Sequence, residues 1–157
     1  MMQDKFDMLG KKIPEFSLPN SRDETININQ FFGKNNIVVI LLRGIMWPYC
    51  RAHVRRLAKD YEKFEQLNAV LYPITPDRVK NAKKLETKYA LNKFPIYYDP
   101  KKKVLKILKQ EVNWIKLGRM PGLVIVDKEG IIRYAYYGNS MHDIPDNQVL
   151  FDELKKL

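Results

Sequence analysis

The chemistry open to this sequence begins with one thiol. Cys50 is the only cysteine in 157 residues and stands in the stretch Arg43-Gly44-Ile45-Met46-Trp47-Pro48-Tyr49-Cys50-Arg51. Pro48 suits the first turn of a helix, which puts Cys50 in that turn as well. Unpaired backbone N–H groups and the positive end of the helix dipole favour an anion there. The thiolate is the nucleophilic form of cysteine, so this setting predicts a lowered pKa and a partly accessible, reactive sulfur. The flanking charges point the same way. No carboxylate occurs between Glu24 and Asp60, whereas Lys34, Arg43, Arg51, Arg55, Arg56 and Lys59 all fall in that window. Arg43 and Arg51 are nearest in sequence; screening over about 8 Å at physiological salt makes the others minor. A lone cysteine is ordinarily a small, inert core residue. Its place after a buried parallel strand argues for the reactive form, because open α/β sheets carry their sites at the carboxyl ends of their strands.

The other chemically able residues are fewer. His53, three residues after Cys50, either shares its helix face or is a partly exposed helix residue, and as a base it would compete with nearby arginines. His142 lies in the polar stretch Asn139-Ser140-Met141-His142-Asp143 and reads as solvated loop. Two histidines and one cysteine do not make a transition-metal site, a multi-cysteine zinc site or a disulfide framework. Gly118 and Gly122 lack phosphate-loop spacing, so no nucleotide cofactor is expected. Arg119 points into the site or into water. Pro121 precedes an apolar strand, and its peptide bond is open to the cis form.

The elements that must position these residues are legible from periodicity. Residues 37–42, Ile-Val-Val-Ile-Leu-Leu, form an apolar run without alternation, the pattern of a central strand covered on both faces. From Cys50 the period changes: Val54, Leu57, Ala58, Tyr61, Phe64 and Leu67 predict one amphipathic helix of about five turns. Ala69 to Ile74 follows as a strand in which Pro73 implies an edge or strand-end position. Thr75-Pro76-Asp77 predicts a helix start, with Thr75 as N-cap and Pro76 in the first turn, running to about Tyr89. Asp99-Pro100 predicts another before Val104, Leu105 and Leu108. Residues 123–126 and 131–137 read as antiparallel strands joined at Asp127-Lys128-Glu129-Gly130. Residues 145–157 close the chain with an amphipathic helix. The order β-α-β-α(-α)-β-β-α predicts a mixed sheet with helices on both faces, built from a right-handed βαβ unit, a hairpin and a terminal helix.

Length and composition bound the function classes. A chain of 157 residues, 45% hydrophobic, suits a single domain spanning 1–157 with a full core. The first twelve residues contain no apolar run, so no signal peptide is expected, and the longest apolar stretch is too short to cross a bilayer. The formal net charge is +10. Most of the cations are lysines spread along the chain, with Lys101, Lys102, Lys103, Lys106 and Lys109 the densest run. Solvated helix faces explain them, and specific nucleic-acid binding is not expected. A cytoplasmic protein without a membrane partner fits this pattern.

The opening Leu9-Gly10-Lys11-Lys12-Ile13-Pro14-Glu15-Phe16-Ser17-Leu18-Pro19 resembles the start of the peroxiredoxin family, also called the alkyl hydroperoxide reductase and thiol-specific antioxidant family. Residues 37–51, 74–77, 94–100 (Phe-Pro-Ile-Tyr-Tyr-Asp-Pro) and 123–133 continue the resemblance in the family's order. It implies a thioredoxin-like three-layer fold with a central mixed β-sheet, and places Cys50 at the peroxidatic position. The family's thiolate attacks a peroxide oxygen to give a sulfenic acid that a second thiol reduces. The family usually has a proline seven residues before that cysteine and a threonine or serine three before it; here Arg43 and Trp47 stand there. The segment Trp47-Pro48-Tyr49-Cys50 also resembles the Cys-Pro-Tyr-Cys motif of a redoxin branch. Trp47 replaces its first cysteine, which excludes intramolecular dithiol chemistry, and Pro121 matches the cis-proline of the thioredoxin fold.

The resemblance therefore implies a one-cysteine thiol peroxidase that needs no cofactor. Cys50 is its nucleophile, the backbone N–H groups of residues 49–51 steady the anion, and Arg43 or Arg119 polarises the substrate. Trp47, Pro48, Tyr49 and Pro121 position it. The partners are a small hydroperoxide and an external thiol or redoxin, and a homodimer is compatible with this reading. The replaced positions at Arg43 and Trp47 support a second reading, a thioredoxin-fold redox sensor or binding protein with little turnover.

Overall fold

A computed structural model describes residues 2–157. Two short strands, β1 (Ser17–Pro19) and β2 (Thr25–Asn27), pair antiparallel near the amino terminus. Next come β3 (Asn36–Leu41), α1 (Pro48–Lys59), α2 (Tyr61–Gln66), β4 (Ala69–Thr75) and α3 (Val79–Lys84), which continues as a π-helical segment, Leu85–Tyr89. The remainder is β5 (Tyr97–Tyr98), α4 (Lys103–Ile107), β6 (Val112–Asn113), β7 (Gly118–Arg119), β8 (Gly122–Val126), β9 (Ile132–Tyr137) and α5 (Asn147–Leu154). The main sheet has the order β5-β4-β3-β8-β9. β3 is its centre, parallel to β4 and antiparallel to β8.

The uninterrupted apolar run of β3 has the structural meaning the sequence suggested, since every residue from Asn36 to Leu41 is buried. Its side chains alternate between two cores, as a period of two requires. Val38, Ile40 and Leu42 meet Val54, Leu57 and Ala58 of α1, Phe64 of α2 and Leu150, Phe151 and Leu154 of α5. Ile37, Val39 and Leu41 meet Leu105 and Leu108 around α4, together with Met8, Ile13, Phe16 and Leu18 from the amino-terminal segment. Helices on both faces of a mixed sheet are thus what this pattern folds into.

Several boundaries differ from the sequence reading. The five-turn helix is broken at Asp60, whose φ of −107° and ψ of 19° leave the helical region between α1 and α2. Thr75 does not cap a helix. It is the last residue of β4, its hydroxyl donates to Asp77 Oδ2 at 2.6 Å, and α3 begins only at Val79 without a side-chain cap. Asp99 likewise lies before a turn, accepting from the Leu105 amide, and α4 starts at Lys103. Pro73 sits where expected: β5 pairs only with Ile74 and Thr75, so the outer edge of β4 is open up to the proline. The β1–β2 and β6–β7 hairpins lie in segments whose strands are only two or three residues long, too short for a periodic signal.

Candidate active site

The parallel register of β3 and β4, with Leu41 opposite Ile74, brings two strand ends together at the sheet's carboxyl edge. Leu42 to Trp47 leave one end and Thr75 to Arg78 the other. Asp77 ties them, because its Oδ2 accepts from the Ile45 amide at 2.8 Å as well as from Thr75. Gly44 turns between them at φ +132°, a conformation open to glycine and strained for any other residue. Its carbonyl accepts from the Trp47 amide at 3.2 Å. Pro48 then opens α1 at its first position and delivers Cys50 in the first turn, as the sequence predicts.

The thiol is almost wholly buried rather than partly accessible. Cys50 is 4% exposed, packed in the core beneath α1. Its pKa is pushed up to about 11, chiefly by burial and also by the Asp77 carboxylate; the backbone amides of Arg43 and Gly44 and the Arg43 guanidinium pull it down. Three expectations are corrected here. The thiol's pKa is raised rather than lowered, because desolvation outweighs the dipole and the nearby cation. The amides that favour the thiolate come from Arg43 and Gly44, just past the end of β3, whereas those of Cys50 and Arg51 are spent on the Trp47 carbonyl at 3.1 and 3.2 Å. The site is not carboxylate-free either, since Asp77 arrives from the neighbouring strand, 27 positions on in the sequence.

Arg43 is the cation of the site. It is 4% exposed, and its guanidinium carbon stacks 3.9 Å from the centroid of the Trp47 ring. Its Nε donates to the Arg119 carbonyl and its Nη2 to the Leu117 carbonyl at 3.5 Å, while Nη1 is buried with no hydrogen-bond partner among the described residues. Burial draws the guanidinium below its usual pKa and the Cys50 sulfur draws it up again. Arg119 joins the site through that carbonyl; its guanidinium points elsewhere, donating to Gln110 Oε1 at 3.0 Å. Arg51 donates to the Ile45 carbonyl at 2.8 Å and so braces the loop before the helix. Tyr49 and Pro48 are exposed, and the Tyr49 ring lies 5.4 Å from that of His142 in the facing loop. Pro121 is buried and preceded by a trans peptide bond, which corrects the match to a cis-proline.

A narrow crevice with room for little more than one water-sized group reaches the thiol, lined by Leu41, Leu42, Arg43, Cys50, His53, Pro121, Met141 and Ile144. His53 is no partly exposed helix residue. It is 3% exposed and uncharged, its pKa depressed to about 3 by burial and by the Arg56 charge. Sequence reasoning missed Asp77 and the burial of His53. The first needed the β3–β4 pairing and the second the packing of the 139–145 loop over α1. Among the described residues no group of three or more His, Cys, Asp or Glu side chains could hold a metal ion.

Comparison with known proteins agrees with this architecture. Residues 9–135 match the model of the AhpC/TSA family. The chain is 27% identical over 127 residues to peroxiredoxin Bcp of Bacillus subtilis, covering 78% of this chain and 80% of that protein. The crystal structure of peroxidoxin BcpB from Mycobacterium tuberculosis superposes with a TM-score of 0.82 at 14% identity, covering 96% and 97% of the two chains. That of Enterococcus faecalis AhpC gives 0.82 at 15% identity, covering 96% and 92%. These structures share the fold, and the sequence match extends over most of the chain: the protein belongs to the AhpC/TSA family, with the thioredoxin-like fold of the peroxiredoxins.

Proposed function

We propose that this protein is a thiol peroxidase of the one-cysteine type, in which Cys50 reduces a hydroperoxide. The observation that carries the reading is that the only cysteine stands in the first turn of α1 and shares its crevice with the buried guanidinium of Arg43. Cys50 Sγ attacks the terminal peroxide oxygen; the S–O bond forms as the O–O bond breaks, giving Cys50–SOH. The sulfur is oxidised by two electrons, and the thiol proton ends on the departing alkoxide as ROH. Because 157 residues hold no second cysteine, an external thiol resolves the sulfenic acid. Its first equivalent releases water and leaves a mixed disulfide; a second regenerates the Cys50 thiol and leaves as the oxidised disulfide.

Burial is the first cause of the raised pKa, so water or substrate entering the crevice removes the main opposition to ionisation. The amides of Arg43 and Gly44 and the Arg43 charge then act on a hydrated sulfur, where they favour the thiolate. Arg43 is accordingly the group that stabilises negative charge on sulfur and on the leaving oxygen. Arg119 acts through its carbonyl, holding Arg43 in place. Trp47 packs on the guanidinium, while Pro48 starts the helix. Among the described residues no helix is long and apolar enough to cross a membrane. We place the reaction in the cytoplasm, where external thiols are kept reduced.

A titration with hydrogen peroxide and with tert-butyl hydroperoxide, trapping sulfenate and reading Cys50 by mass spectrometry, tests the proposal. Stoichiometric sulfenate under mild excess, recycled by added thiol, is the expected result. A Cys50 that stays unmodified overturns it. The same burial favours a second reading, a slow redox sensor; sulfenate that forms but is never recycled by any thiol selects that one.

A further inference from the structure

Four buried side-chain atoms lack a hydrogen-bond partner among the described residues, and two of them, Arg43 Nη1 and His53 Nε2, belong to residues that line the Cys50 crevice. Native proteins rarely leave such atoms alone, and each calls for an explanation. Arg43 Nη1 can only donate, since a guanidinium has no acceptor. His53 is neutral, and a neutral imidazole offers one donor and one acceptor nitrogen.

His53 follows Cys50 by three positions on α1, so the two side chains are neighbours on one helix face. The imidazole forms part of the wall of two adjoining clefts. One contains the thiol; the other runs past Pro121, Leu123, Tyr136, Asp143 and Ile144. The remaining side chains of the thiol crevice are Leu41, Leu42, Pro121, Met141 and Ile144, none of which carries a strong acceptor. A hydroperoxide brings one O–H donor, on the oxygen the sulfur attacks, and an acceptor on the oxygen that leaves. It matches the two orphan atoms in number and in sign.

We propose that His53 is a further catalytic residue of the peroxidase site, its Nε2 accepting the hydrogen bond of the hydroperoxide O–H while Arg43 Nη1 donates to the leaving oxygen. His53 is then the Nδ1–H tautomer and stays neutral throughout. It takes no proton, so the balance of the reaction is unchanged: Cys50–SH and ROOH give Cys50–SOH and ROH. Its work is to turn the terminal oxygen toward the sulfur. The crevice has room for little more than one water-sized group. Met141, half-buried and unbranched, is the side that yields to admit the rest of the substrate.

This inference rests on the peroxidase reading, and the test separates the two. Single-turnover oxidation of Cys50 by tert-butyl hydroperoxide is followed in the parent, His53→Leu and His53→Gln, beside alkylation by iodoacetamide, which has no O–H to be accepted. Leucine is expected to slow oxidation about tenfold and to leave alkylation within about twofold, while glutamine, which keeps an acceptor, restores most of the rate. Nitrogen-15 spectra of the parent should show His53 with Nε2 unprotonated. Leucine and parent oxidising alike overturns the role of His53 and spares the peroxidase. Oxidation and alkylation falling together, or a protonated Nε2, also overturns it. A parent that never oxidises overturns both.

Discussion

The guanidinium carbon of Arg43 lies 3.9 Å from the centroid of the Trp47 ring, so the cation that favours the thiolate rests on an indole face. A desolvated cation over an indole contributes about 2 kcal/mol or more. The same indole screens the guanidinium from solvent at the point where the chain enters α1. Trp47→Ala should therefore lower unfolding stability in urea by roughly 1–3 kcal/mol, with Trp47→Phe keeping most of it. Unchanged stability in the alanine variant would show that the stack contributes nothing.

Arg43 is also pinned by two carbonyls of the β6–β7 hairpin, those of Leu117 and Arg119. A lysine offers one ammonium where the guanidinium offers a planar fork, so it cannot keep both carbonyls and a free donor toward the crevice. Arg43→Lys should slow Cys50 oxidation by about tenfold or more while the net charge stays the same. Wild-type oxidation in that variant would mean that charge alone matters and the fork does not.

Asp77 opposes ionisation of the thiol and also ties the loop through Ile45 and Thr75. Replacing it with asparagine removes the negative charge and keeps an oxygen for the Ile45 amide. The midpoint of Cys50 alkylation against pH, expected near 11 in the parent, should move down by up to about one unit in Asp77→Asn. A midpoint that moves up would show the carboxylate acting through loop geometry rather than charge.

How much of this was legible beforehand follows from the range of each cause. The burial of β3, the start of α1 at Pro48 and the place of Cys50 are local, set by an apolar run and one proline, and the sequence carries them. Asp77 is brought to the thiol only by the pairing of Leu41 with Ile74, a long-range event without a local signature. The pKa of Cys50 fails for a related reason. A helix dipole can be read from position, whereas desolvation depends on what covers the site, here a loop of which Met141 and Ile144 stand in the crevice wall. Arg119 shows a third limit: the family resemblance offered its guanidinium, beside that of Arg43, as the group that polarises the substrate, and the fold brings its carbonyl to Arg43.

His53 gives stability a pH dependence of definite sign. Its pKa falls to about 3 in the folded protein, against about 6.5 in the unfolded chain. Between those values the unfolded chain binds a proton that the folded one does not, so stability rises with pH across the window and is lost on acidification. From pH 7.5 to 4.5 the loss should be about 2–3 kcal/mol. Asp127 and Asp143, both held below the usual carboxylate range by their hydrogen bonds, and the exposed Glu62, held there by Lys93, titrate at or below the acid end of this window and leave most of it to the imidazole. Urea unfolding at pH 7.5 and 4.5 should therefore show a steep difference in the parent and a small one in His53→Gln, which cannot take up the proton. Equal acid losses in the two proteins would mean that His53 is reached by water or paired in solution, and its neutrality in the crevice would fail with them.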